Sequence, residues 1–86
     1  MHSVHIAGPA EKQIDNLPDQ TAKRIQAAIV ALAQNPRPPG CKKLRAQPPL
    51  YRIRVGDYRV VYDVDDQAQT VLVLHIKHRK HVYRDL

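Results

Sequence analysis

Residues Leu50 to Val64 read LYRIRVGDYRVVYDV, and this stretch decides the fold. Two runs of alternating apolar and polar residues flank Gly56-Asp57, and a two-residue loop that begins with Gly is what a type II′ hairpin turn requires. That turn sets a register in which Val55 faces Tyr58, Ile53 faces Val60 and Tyr51 faces Tyr62. Side chains alternate along a strand, so these six share one face, the candidate core. The other face then carries Arg54 across from Arg59, with Arg52 one step away and across from Val61. Like charges directly across a ladder are destabilising by about 0.2–1 kcal/mol. Such a pairing needs a compensating reason, and an anionic ligand supplies one.

Downstream, Asp65 to Gln69 reads as a turn and Thr70 to His78 as the last strand. Pairing Val64 with Thr70 sets Tyr62 against Leu72, Val60 against Leu74 and Tyr58 against Ile76, and it places His75 beside Arg59. By parity Lys77 and Arg79 join the same basic face. Upstream, Val4 and Ile6 alternate with His5 and Ala7 as a short first strand, and Gly8-Pro9 opens a helix of about two turns that Pro18 ends. Asp19 is then the expected N-cap of a second helix, in which Ala22, Ile25, Ile29 and Leu32 recur at steps of three and four. It should close near Asn35-Pro36. Pro36 to Gly40 is a stiff connector, Lys42 to Arg45 a short strand, and Gln47-Pro48-Pro49 a second loop. The expected class is α+β, with two N-terminal helices packed on one face of a small antiparallel sheet.

Eighty-six residues bound this to a single domain, 1–86, which buries about 60–65% of its unfolded surface. Phe and Trp are absent and four Tyr supply all the aromatic area, so the core must be aliphatic. One cysteine, Cys41, has no internal partner, which fits a reducing compartment. The N-terminus lacks the basic and apolar regions of a signal peptide and no apolar run approaches a membrane span, so the expectation is a soluble, cytoplasmic chain. The net charge is +6, and residues 37 to 59 carry seven basic groups against one acidic. Nucleic acid or another polyanion is the partner such a balance suggests.

A sheet face holding several guanidinium groups can grip one phosphodiester by more than one edge, because each Arg offers a planar fork of donors. That suits RNA cleavage by the ribose 2′-hydroxyl, where preorganised cations oppose the charge that builds on a five-coordinate phosphorus. No metal or other cofactor is called for. Asp63, Asp65 and Asp66 cluster at a turn, where Asp is common for backbone reasons, and His75, His78 and His81 do not share one strand parity. His75, His78 and Lys77 are candidates for proton transfer, Lys42, Lys43 and Arg45 for further RNA contact, and Tyr83 for stacking a base.

Asn35-Pro36-Arg37, Lys43-Leu44-Arg45, the hairpin itself and IKHRKHVYR at Ile76 to Arg84 resemble, in this order and over nearly the whole chain, the RelE family of toxins from bacterial and archaeal toxin–antitoxin pairs. The resemblance implies an mRNA endonuclease, or mRNA interferase, that works in the ribosomal A site without metal and is silenced by a cognate antitoxin. Carried over by position, the family's basic pair on the first hairpin strand falls on Arg52 and Arg54. Its second-strand Arg falls on Arg59, its Arg after the last strand on Arg79, with Lys77 competing for that role, and its late Tyr on Tyr83. The chain departs from the family's well-studied members in having Arg for Lys at the first two positions. Arg hardly deprotonates, so Arg52 and Arg54 are expected to stabilise phosphate charge while proton transfer falls to Lys77, a histidine or the ribosome. Two rival readings follow from the same residues: the ParE branch of the superfamily, which poisons DNA gyrase, and a non-catalytic RNA-binding or ribosome-docking module.

Overall fold

The computed structural model describes residues 1–46 and 48–79. In it the hairpin is the middle of a five-stranded sheet. The elements are β1 (Ser3–Ile6), α1 (Gly8–Asp15), α2 (Asp19–Ala31), β2 (Lys42–Leu44), β3 (Leu50–Val55), β4 (Tyr58–Asp65) and β5 (Thr70–His78). The strand order is β1-β5-β4-β3-β2. Neighbours pair antiparallel except β1, which lies parallel to β5 with Val4 beside Val71 and Ile6 beside Val73. The sheet is therefore mixed, its parallel edge strand being a pairing that alternation alone does not reveal.

The β3–β4 register is the one the Gly-Asp loop dictates, from Tyr51 against Tyr62 to Val55 against Tyr58, with Arg54 against Arg59. Gly56 has φ +60° while Asp57 does not enter the positive region, the signature of a turn with Gly at the first central position. Ile53, Val60 and Tyr62 are buried under the helices, and Tyr51, Val55 and Tyr58 pack at the margin of the same cluster; the core is thus not the purely aliphatic one expected, since the fully buried Tyr62 ring is its largest side chain. α1 contributes Ala10 and Ile14, and α2 contributes Ile25 and Ile29, followed by Leu32. The i, i+4, i+7 stripe of α2 thus covers the sheet face that the hairpin leaves apolar. Asp19 is the first residue of α2 and not its cap; Pro18 holds the cap position without a side-chain hydrogen bond.

The β4–β5 register differs from the sequence expectation. The connection is one residue tighter, with Asp65 and not Val64 across from Thr70, and the Ala68 N–H donates to Asp65 Oδ1 at 3.0 Å inside the turn. Tyr62 therefore faces Val73, and Leu72 faces Asp63. A β-bulge between Val61 and Tyr62 then absorbs one residue of β5, so that Val60 meets Ile76, Arg59 meets Lys77 and Tyr58 meets His78. The bulge flips parity only in the first half of β5. Val71 and Val73 enter the core in place of Leu72 and Leu74, while Ile76 stays in it. Beyond the last β1 pairing the outer edge of β5 is closed by α1, whose Gln13 Oε1 accepts the Ile76 N–H at 2.7 Å.

Candidate functional site: a cation row on the sheet face opposite the helices

On the face opposite the helices, alternation sets Arg52 and Arg54 of β3, Arg59 of β4, and His75 and Lys77 of β5. The bulge decides the neighbours. Lys77, not His75, stands across from Arg59, and His75 stands across from Val61. Arg59 thus has a cation on each side, Arg54 on β3 and Lys77 on β5, at Cα separations of about 4.5–5.5 Å. His78 leaves the row altogether: it sits across from Tyr58 on the core-side parity and packs edge-on against that ring at 5.3 Å. Arg79 follows directly, exposed, its N–H donating to the Asp57 carbonyl at 2.8 Å, which ties it to the hairpin tip.

Burial divides the row. Arg54 is exposed, but Arg59 retains only 5% of its surface and Arg52 7%. The Arg59 Nη1 donates to its neighbour's carbonyl, Tyr58 O, at 3.2 Å, while its Nε is buried without a hydrogen-bond partner among the described residues. Neither Arg54 nor Arg59 makes an ion pair among the described residues; the ion pairs found there lie at Asp66. A guanidinium withdrawn from water and not neutralised by a neighbouring carboxylate is a preorganised receptor for an anion, since its interaction with added charge is weakly screened.

A second polar cluster lies at the opposite end of the sheet and holds the chain there. Arg37 clasps Asp66 with both ends of its fork, at 2.9 and 3.2 Å, and its guanidinium carbon lies 4.8 Å from the centre of the Tyr51 ring. Asp66 also meets His2 Nε2 at 3.3 Å. The Arg37 hydrogen bonds, helped by His2, hold the Asp66 carboxyl below its ordinary value of 3.8, and the same carboxylate raises Arg37. Beside it, the Tyr62 hydroxyl donates to Pro36 O at 2.6 Å, and burial, with the Cys41 thiol, pushes that phenol well above its usual range. Arg37, Asp66 and Tyr62 act as a clasp between the connector and the β4–β5 turn. The Asn35-Pro36-Arg37 motif signalled a boundary in the sequence, but no local pattern indicated its partner at residue 66.

The remaining candidates separate. Lys42 pairs with Arg52 and so shares the outer face; Lys43 pairs with Tyr51 and has the opposite parity; Arg45 is exposed just beyond β2. Tyr83 and His81 lie outside the described residues. Among the described residues no group of three or more His, Cys, Asp or Glu is arranged to hold a metal, and no helix is long and apolar enough to cross a membrane.

Residues 4–83 match the family model described as the ParE toxin of type II toxin–antitoxin systems, parDE. The chain is similar to toxin RelE of Mycobacterium tuberculosis (strain ATCC 25618 / H37Rv), with 33% identity over 86 residues, covering 96% of this chain and 89% of that protein. Toxin RelG of the same organism is 31% identical over 88 residues, covering 96% and 97%. The archaeal RelE–RelB complex from Pyrococcus horikoshii OT3 contains a chain that superposes with a TM-score of 0.82 at 30% identity, covering 91% of this chain and 94% of that one.

Proposed function

Because this chain belongs to the RelE family of type II toxin–antitoxin toxins, we propose that it is a ribosome-dependent mRNA endonuclease held in check by a cognate antitoxin. The observation that carries the reading is Arg59, buried, without a carboxylate partner among the described residues, and flanked by Arg54 and Lys77 on adjacent strands. A phosphodiester drawn to that row meets donors from three strands. As the 2′-hydroxyl oxygen bonds to phosphorus and the bond to the 5′-oxygen breaks, charge accumulates on the non-bridging oxygens that Arg54 and Arg59 face. Arg52 adds to the same field as a ground-state clamp. Arg79, held at the hairpin tip, is the cation for the leaving side, and Tyr83 is the stacking platform for a base.

The attacking hydroxyl gives up one proton and the departing 5′-oxygen gains one. Of the side chains considered for that exchange, Lys77 and His75 share the phosphate-facing parity, whereas His78 faces Tyr58. The role therefore rests with Lys77, His75 or the ribosome, and single-turnover cleavage that is unchanged in both Lys77→Ala and His75→Ala would leave the ribosome. The solved relative from Pyrococcus horikoshii is a complex of RelE with RelB, which supports an antitoxin partner of that kind. For this chain the partner should carry acidic residues able to cover a +6 surface.

A second reading, gyrase poisoning as in the ParE branch, is favoured by the description of the matching family model. Primer extension on a translated message, run beside a gyrase supercoiling assay, separates the two. New 5′ ends that depend on translation support the endonuclease; inhibited supercoiling with intact messages supports the other branch. Tight ribosome binding with neither effect supports a non-catalytic docking module.

A further inference from the structure

We propose that Lys42, at the free edge of the sheet, holds a second RNA phosphate that flanks the scissile link, an inference that rests on the endonuclease reading above. The β2–β3 register sets Lys42 directly across from Arg52, so its side chain leaves the sheet on the same face as Arg52, Arg54 and Arg59. Cations then stand on four neighbouring strands: Lys42 on β2, Arg52 and Arg54 on β3, Arg59 on β4 and Lys77 on β5. With strands about 4.8 Å apart and a rise of about 3.4 Å per residue, the Lys42 backbone lies about 12 Å from that of Arg59, diagonally across the sheet. That separation suits successive phosphates of an extended single strand better than one phosphate shared by both side chains.

The residue types agree with the division. Arg, with its rigid fork, lies where a reacting phosphate must be oriented; Lys, a mobile point charge, is exposed at the edge, where a spectator phosphate needs only neutralising. Beside it, Lys43 and Arg45 line a shallow groove with Leu44, Ala46 and Pro49, but Lys42 is not part of that lining and Lys43 has the opposite strand parity, so the assignment rests on the register alone. β2 is the last strand in the sheet order, so the RNA would leave over an edge and not across a further strand. A lysine on an edge strand also discourages strand addition by a second chain, and the experiment must separate that duty from RNA binding.

The experiment uses single-turnover cleavage on ribosomes programmed with messages that carry one uncharged methylphosphonate at each position flanking the cleaved bond. Wild type is compared with Lys42→Ala and with Lys23→Ala, a change of equal charge on the exposed surface of α2. Lys42→Ala should raise the toxin concentration for half-maximal cleavage about threefold to fivefold and leave the saturating rate unchanged, while Lys23→Ala should match wild type. A methylphosphonate at one flanking position should impose the same loss on wild type and add nothing to Lys42→Ala. Half-saturation of Lys42→Ala equal to wild type overturns the proposal, even if that variant self-associates. A defect that every methylphosphonate leaves undiminished also overturns it, and assigns Lys42 to the ribosome. Failure of wild type to cut any message would remove the endonuclease reading itself, and this inference with it.

Discussion

Replacing Arg59 by Ala tests whether the cation row exists for catalysis or for stability. The structure allows both effects to be weighed. On the stability side, the change removes two buried methylenes, worth about 0.8 kcal/mol each, and the hydrogen bond from Nη1 to Tyr58 O, worth about 0.5–1.5 kcal/mol. Against that loss, it relieves like-charge contacts with Arg54 and Lys77, about 0.2–1 kcal/mol apiece, and it removes a buried Nε that has no hydrogen-bond partner among the described residues. The opposing contributions are of similar size, so unfolding free energy should change by less than about 2 kcal/mol, below the roughly 2–5 kcal/mol of an Ile25→Ala control in the core. On the activity side, loss of one preorganised donor to a developing oxyanion should lower the single-turnover rate about 10²–10³-fold. Urea denaturation and cleavage on programmed ribosomes read the two quantities separately. Cleavage within a few-fold of wild type would refute the assignment of Arg59 to the reacting phosphate. Destabilisation as large as that of Ile25→Ala would show Arg59 to be a structural residue.

Three further outcomes follow from the clasp and the turn. Tyr62→Phe deletes the hydroxyl that donates to Pro36 O and strands a partly buried carbonyl, so it should destabilise by about 1–3 kcal/mol in urea titrations; a change near zero would mean that water replaces the bond. Asp66→Asn should flatten the acid limb of the stability profile. Arg37 and His2 hold the folded carboxyl below 3.8, so its stabilisation is present above the unfolded value and fades as pH falls through the folded one. Wild type and variant should then differ at pH 7 and converge as pH falls through the lowered folded value, and a constant offset along the whole acid limb would contradict the assignment. Gly56→Ala should destabilise by about 1–2 kcal/mol, because φ of +60° strains any L residue. The nearest atom to an added Cβ is the Arg24 Nη1 at 3.8 Å, an ordinary contact, so the effect is conformational and not steric; Gly56→Asn, which tolerates left-handed backbone, should recover part of it.

Much of the architecture is legible locally. The Gly56-Asp57 loop determines the β3–β4 register because a two-residue turn leaves no freedom in pairing, and from it alone Arg52, Arg54 and Arg59 are placed on one face. Spacings of three and four mark Ile25 and Ile29 of α2, and Leu32 at its C-cap, as a buried stripe. Other features are set by contacts between distant segments. Asp65 to Gln69 is compatible with more than one turn, and Val71 with Val73 competes with Leu72 and Leu74 for the same core face. The choice follows from β1, whose Val4 and Ile6 lie beside Val71 and Val73, and from the bulge that returns Ile76 to the core. Periodicity cannot report a bulge, because the residue it removes from the pairing breaks the period being counted.

What the sequence by itself determined, then, is a basic hairpin backed by an aliphatic stripe, since both depend on interactions a few residues apart. Only the tertiary structure decided that Lys77 and not His75 stands beside Arg59, that His78 packs on Tyr58, that Arg37 finds Asp66 twenty-nine residues away, and that Lys42 extends the cation row to the sheet edge. Each of these depends on how whole strands align, and alignment is chosen by the summed burial of both sheet faces and not by any single residue's preference.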